Sequence, residues 1–207
     1  GLDELHMYDI YVPLVKEYKS ETPYEKACEM VISGLQPLGS QYQELLRKGM
    51  DAGWIDVYEN EGKTSGAYSW GTYDTHPYVL LNYDNKMDDT FTLAHELGHS
   101  LHSYFSHKEQ PHVYSQYPII LAEVASTVNE SLLIDYLLQN PVSREEKLYL
   151  LNHYLEQFRA TVYRQTMFAE FEKITHQTVE AGDSLTPESL CQIYWELNAL
   201  YYGPDVV

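Results

Sequence analysis

The stretch FTLAHELGHSLHSYF, residues 91–105, places three histidines and one glutamate within eight positions. Residues four apart on an α-helix lie one turn on and about 40° around its axis. His95 and His99 therefore present their imidazoles side by side, at a spacing that one metal ion bridges. Glu96 lies about 100° from His95, where it flanks such a metal and can reach a water held there. This is the H-E-x-x-H arrangement, two neutral imidazole ligands with a carboxylate beside them. Leu93, Ala94, Leu97 and Leu101 supply the apolar surroundings of a buried helix. Gly98 lets a second backbone approach it closely.

A hydrolytic zinc site needs a third protein ligand and one open position. In the pattern H-E-x-x-H-x-x-G-x-x-H that ligand comes from the same segment, but the last two positions here hold His102 and Phe105. A glutamate from further along is the alternative, with Glu109, Glu123 and Glu130 as candidates. Glu109 follows the helix in SHKEQP, a solvated stretch. Glu123 sits in ILAEVAST, where an unpaired charge is costly and a metal is a partner. The spacing from His99 leaves room for a loop and a returning antiparallel helix, so Glu123 is the favoured third ligand. Glu130, two turns on along roughly the same face, is a candidate for contacts around the metal, as are Ser126 and Asn129. His102, one turn past His99, and His76, in DTHP beside a predicted strand, are candidates for supporting or substrate contacts.

Composition narrows the partners. Among 207 residues, 31 are acidic and 13 basic, for a formal charge of −18. Such a surface repels phosphate backbones and acidic membrane faces, so neither nucleic acid nor a membrane is an expected partner. No apolar run has the length to span a bilayer, and GLDELHMYDI shows no signal-peptide pattern. Two distant cysteines, Cys28 and Cys191, form no disulfide framework and suit a reducing cytoplasm.

Around the histidine helix the sequence predicts a mostly α-helical body. Thr22-Pro23 with Glu25 starts a helix that Gly34 ends, and residues 40–50 form a second. WIDVY, GAYSWGTY and YVLLNY, within 53–84, read as about three strands of a small antiparallel sheet. Asp88 or Asp89 caps the histidine helix. Residues 119–140 form a long buried helix, giving a helix pair over 88–140 that Pro141 closes. Ser143 with Glu146 starts a helix to about His176, and Thr186-Pro187 a last one to Gly203. The region 143–203 is thus helical, and 1–207 reads as one domain. Ala67 to Gly71 falls one glycine short of a G-x-S-x-G nucleophile elbow and lies in a strand.

The segments FTLAHELGHSLHSYFS, QPHVYSQYPIILAEVASTVNE and GAYSWGTYDTHPYVLLNY resemble the oligoendopeptidase F group of the thimet-oligopeptidase-like zinc peptidases. The resemblance covers most of the chain and is densest from Gly66 to Glu130. It implies a mainly α fold, a helical zincin catalytic lobe with a small sheet beside the H-E-x-x-H helix. It implies one zinc ion per chain, held by His95, His99 and Glu123, with Glu96 as general base. The implied function is a metalloendopeptidase acting on oligopeptides. A metallocarboxypeptidase of the same broad class, or a non-catalytic peptide-binding fragment, are the rival expectations. Family members continue past a motif like YYGPD and carry a helical N-terminal part, so the chain is expected to be an internal fragment. An extended peptide is expected to pair with the edge of GAYSWGTY or of YVLLNY.

Overall fold

The computed structural model describes residues 6–12, 14, 15, 18, 21–140 and 143–205. Two compact units divide the chain, one of Lys19–Val142 and the other of Gly1–Tyr18 with Ser143–Val207.

The first unit carries four helices, α1 (Tyr24–Gly34), α2 (Ser40–Asp51), α3 (Met87–Glu109) and α4 (Ile119–Gln139), and three strands. α1 begins one residue later than expected. Pro23 is its N-cap, and Thr22 is fully buried, its carbonyl accepting from the Tyr83 hydroxyl at 2.7 Å. Tertiary burial outcompetes the capping role of the threonine. At α3 the cap residue is Lys86. Asp89 sits at the third helical position, its Oδ2 accepting from the Lys86 and Asp84 amides at 2.9 Å each. α4 ends at Gln139, so the expected stop at Pro141 lies outside the described residues.

The strands are β1 (Ile55–Asp56), β2 (Tyr68–Trp70) and β3 (Tyr78–Leu80), in the order β1-β3-β2. The sheet is mixed where the sequence predicted an antiparallel one. β2 pairs antiparallel with β3, but β1 pairs with it in parallel. The chain passes over to β2 before returning as β3 between the two, so β1 and β3 run the same way. YVLLNY therefore supplies the central strand, and of the two expected edges GAYSWGTY is the one that is free among the described residues. Lys63 fastens the β1–β2 connection. Its ammonium donates to the Asp56 and Tyr58 carbonyls at 3.1 and 2.7 Å and pairs with the Asp56 carboxylate at 3.2 Å.

The core of this unit forms where α3 lies between α4, α1 and the sheet. Leu93, Ala94, Leu97 and Leu101 of α3 are 0% exposed, as are Ala27, Val31 and Leu133. Two glycines set the helix spacing. A Cβ on Gly34 would stand 3.0 Å from the Leu133 Cα. One on Gly98 would stand 2.6 Å from the Ser126 Cα and 2.8 Å from the Ala125 carbonyl oxygen. The backbones of α3 and α4 thus touch at Gly98, a contact no other residue permits.

In the second unit, α5 (Arg144–Gln157) passes through a π-helical stretch, Phe158–Tyr163, into α6 (Arg164–Glu180). The Ser143 hydroxyl accepts from the Glu146 amide at 3.0 Å, the expected cap. α7 (Pro187–Tyr202) returns along α6, capped by Thr186. It is tied there by the Tyr201 hydroxyl, which donates to Glu170 at 2.8 Å, and by the edge-on ring pair Phe171–Tyr194. No helix among the described residues is long and apolar enough to cross a membrane.

Gly98→Ala is expected to destabilise the fold by about 2 kcal/mol or more, because the new methyl meets backbone rather than a movable side chain. Urea unfolding followed by circular dichroism measures this. A loss below about 0.5 kcal/mol would contradict the tight helix crossing.

Candidate metal centre

α3 and α4 run antiparallel and touch at Gly98, so the turn before that contact on α3 faces the turns around Ser126 on α4. His95 and His99 emerge from one side of α3, their Nε2 atoms 3.0 Å apart and their rings nearly perpendicular at 87°. From α4, the Glu123 Oε2 comes within 3.5 Å of the His95 Nε2 and 3.8 Å of the His99 Nε2. One donor atom from each of the three residues lies within 4.8 Å of the others, the one such group among the described residues. Two imidazoles and a carboxylate form the donor set of catalytic zinc sites, so these residues could hold a zinc ion and leave a position open. Glu123 is more open than its apolar neighbours suggest, with 41% of its side chain exposed. The run around it is apolar on all sides, and Ile119, Ile120, Leu121 and Val124 are exposed too.

Other side chains orient these donors. The Ser126 hydroxyl donates to the Glu123 carboxylate at 3.1 Å. The His95 Nδ1 lies 2.5 Å from the Glu130 Oε1. A carboxylate there selects the tautomer with its proton on Nδ1 and leaves Nε2 as a free lone pair. Burial lowers the His95 pKa, but the hydrogen bond and charge of Glu130 outweigh it and the net shift is upward. His99 is lowered by burial and by the neighbouring His95, against the charge of Glu123.

Glu96 points toward the sheet. It is 6% exposed, and burial pushes its carboxyl up to about 7 against the pull of His95. Glu123 and Glu130 add to the rise, while the backbone amide of Ser69 in β2 lowers it. Its Oε2 finds no hydrogen-bond partner among the described residues. Ser69 also ties the strand to the helix, its hydroxyl 2.8 Å from that of the fully buried Ser100. On the opposite face of the sheet, Tyr68, Trp70 and Tyr78 stand half exposed.

The remaining candidates fall elsewhere. His102 stacks on Tyr117, ring centres 4.0 Å apart, and burial lowers its pKa. His76 stacks on Trp54, its Nδ1 2.6 Å from the Pro77 carbonyl. Neither joins the donor group. Glu109 is exposed at the end of α3, 3.9 Å from the Lys108 ammonium. Asn129 lies behind the donors, bonded to the Ala94 carbonyl and to Tyr42. Sequence reasoning missed Ser69, Ser100 and Tyr42. A small polar residue between two aromatics marks Ser69 as inward-facing, but nothing separates Tyr42 from the other tyrosines, 20 in all.

The sequence model of peptidase family M3 matches residues 1–207. The chain belongs to that family. It is 52% identical over 206 residues to the oligopeptidase PepF of Bacillus subtilis, covering 100% of this chain and 31% of the relative. An oligoendopeptidase F homolog of Lactococcus lactis is 47% identical, over 98% of this chain and 34% of that protein. In structure, the chain matches oligoendopeptidase-F from Enterococcus faecium with a TM-score of 0.62 at 36% identity, over 100% of this chain and 29% of the other. This M3 chain therefore spans about a third of the length of such relatives.

The Ser69–Ser100 hydroxyl pair is expected to couple β2 to α3 by about 0.5–1.5 kcal/mol. A double-mutant cycle of Ser69→Ala and Ser100→Ala, read by urea unfolding, measures it. Strict additivity would mean that the two hydroxyls do not couple the strand to the helix.

Proposed function

We propose that the chain carries the catalytic centre of a zinc-dependent metalloendopeptidase acting on oligopeptides, with one zinc ion per chain. The observation that carries this reading is the convergence of the His95, His99 and Glu123 donor atoms beside a buried Glu96. Membership of family M3 supports it, as do relatives named oligopeptidase and oligoendopeptidase.

His95 and His99 would hold the metal through Nε2 and Glu123 through its carboxylate. Bound there, zinc supplies Lewis acidity, which makes a water a stronger nucleophile and polarises a peptide carbonyl. Glu96 acts as general base. Placed beside the donor cluster, it can accept a proton from the attacking water and return it to the leaving amine. Its partnerless Oε2 leaves an oxygen free for that proton. Ser69 holds the carboxylate from the strand side through its backbone amide. Ser126 and Glu130 keep Glu123 and His95 in orientation. β2, free on one side among the described residues, offers its edge to an extended peptide, with the Ser69 amide already bonded to Glu96. A peptide on that edge would run past Ser69 and so past Glu96. Free cysteines at 28 and 191 suit a reducing cytoplasm.

Zinc analysis of the chain, beside Glu123→Ala and Glu96→Gln, tests this. One zinc per chain is expected, weakened clearly by Glu123→Ala and retained by Glu96→Gln. Cleavage of a peptide blocked at both ends should fall by roughly 10²–10⁴-fold in Glu96→Gln. Zinc held equally well by Glu123→Ala would remove it as third ligand. Cleavage only of peptides with a free C-terminus would make the enzyme a carboxypeptidase.

A further inference from the structure

Behind the donor cluster a hydrogen-bonded chain links three helices. Asn129, 1% exposed, donates from Nδ2 to the Ala94 carbonyl of α3 at 2.9 Å. The Tyr42 hydroxyl of α2 lies 2.9 Å from the Asn129 Oδ1. The direction of each bond is forced. A carbonyl oxygen only accepts, so the amide nitrogen must face Ala94. The amide oxygen then faces Tyr42, whose hydroxyl must donate. Burial, against the opposing bond to Asn129, pushes the Tyr42 pKa up to about 12, so the donating proton stays in place.

The chain grips α3 at the residue before His95. The Ala94 carbonyl is also the helical acceptor for the Gly98 amide, so Asn129 adds a second bond to the turn that carries both histidines. The next residue on each helix repeats the grip, Glu130 to His95 at 2.5 Å. Two adjacent residues of α4 thus hold two adjacent residues of α3, one turn from the backbone contact at Gly98. Sliding or rotating α3 against α4 would break both bonds and move the His95 and His99 nitrogens away from Glu123. α2 supplies the outer anchor for the buried member of that pair.

We propose that Tyr42 is a positioning residue: acting through Asn129, it holds the Ala94–His99 turn of α3 in register with α4 and thereby sets the spacing of His95 and His99 against Glu123. Packing explains the Tyr42 ring, which lines an apolar hollow of about 360 Å³ with Leu38, Phe105 and Val124. It does not explain why a hydroxyl is brought to a buried amide. Without that hydroxyl, Asn129 loses its only partner for Oδ1 among the described residues. The amide would then be free to turn away from Ala94. The claim about the turn stands on the hydrogen bonds alone, and its consequence for metal binding rests on the zinc reading above.

The test compares the full chain with Tyr42→Phe, Asn129→Ala and the double variant in two readouts. The first is site-resolved amide hydrogen exchange over residues 94–99 in metal-free protein. The second is zinc affinity by competition with a chelator. Tyr42→Phe should speed exchange in that turn about fivefold to tenfold, as loss of one buried hydrogen bond implies. It should weaken zinc about tenfold, at the low end for a residue that orients a ligand. Adding Tyr42→Phe to Asn129→Ala should change neither readout by more than about twofold, since the route runs through the amide. Exchange and affinity both unchanged in Tyr42→Phe would overturn the proposal. So would an equal loss in the Asn129→Ala background, which would make Tyr42 a packing residue only. A parent chain that binds no zinc would count against the metal reading, and the exchange comparison would still decide whether Tyr42 holds the turn.

Discussion

The close approach of α3 and α4 at Gly98 is the constraint on which the rest of the first unit depends. With a Cβ-sized group at that position the helices would have to part, because the obstructing atoms are the Ser126 Cα and the Ala125 carbonyl oxygen. At contact distance, side chains can bridge the helices: Asn129 donates to the Ala94 carbonyl, and Glu130 meets the His95 Nδ1. Each of those bonds is short-range and directional, and a shift of about 1 Å would exchange good geometry for poor. The crossing therefore fixes backbone separation, side-chain register and donor spacing together.

A second tie runs from α3 to the sheet. Ser69 meets α3 twice, through its amide at Glu96 and its hydroxyl at Ser100. One residue thus couples the strand edge to the proposed general base. The environment of Glu96 follows from the same packing. Buried between helix and strand, with two further carboxylates nearby, its charged form loses solvation and meets like charge, and the pKa rises toward neutrality. A carboxylate in the ordinary acidic range would be a weaker base for an attacking water.

How much of this was legible in the sequence depends on the range of the interaction. The proximity of His95 and His99 follows from the helical period alone, which needs no tertiary information. The nearness of Glu123 is legible from a charge in an apolar run and its spacing after His99, although the side chain is substantially exposed rather than buried. Helix starts marked by Ser143 and Thr186 were readable because the cap bonds are local. At Thr22 the same local signal failed, because burial under Tyr83 decided instead. The parallel pairing of β1 was invisible, as nothing in three short aromatic strands records their spatial order. Tyr42 and Ser100 were invisible for a related reason: their partners lie on other elements, 87 and 31 positions away in the chain.

The central claim is that one crossing of two helices builds a single metal centre from His95, His99 and Glu123. X-ray absorption at the zinc edge of the zinc-loaded chain tests it most directly, because it reports ligand identity. The account predicts scattering from two imidazoles, the remaining ligands being oxygen and none sulfur. A sulfur ligand, or a site with fewer than two imidazoles, would contradict it.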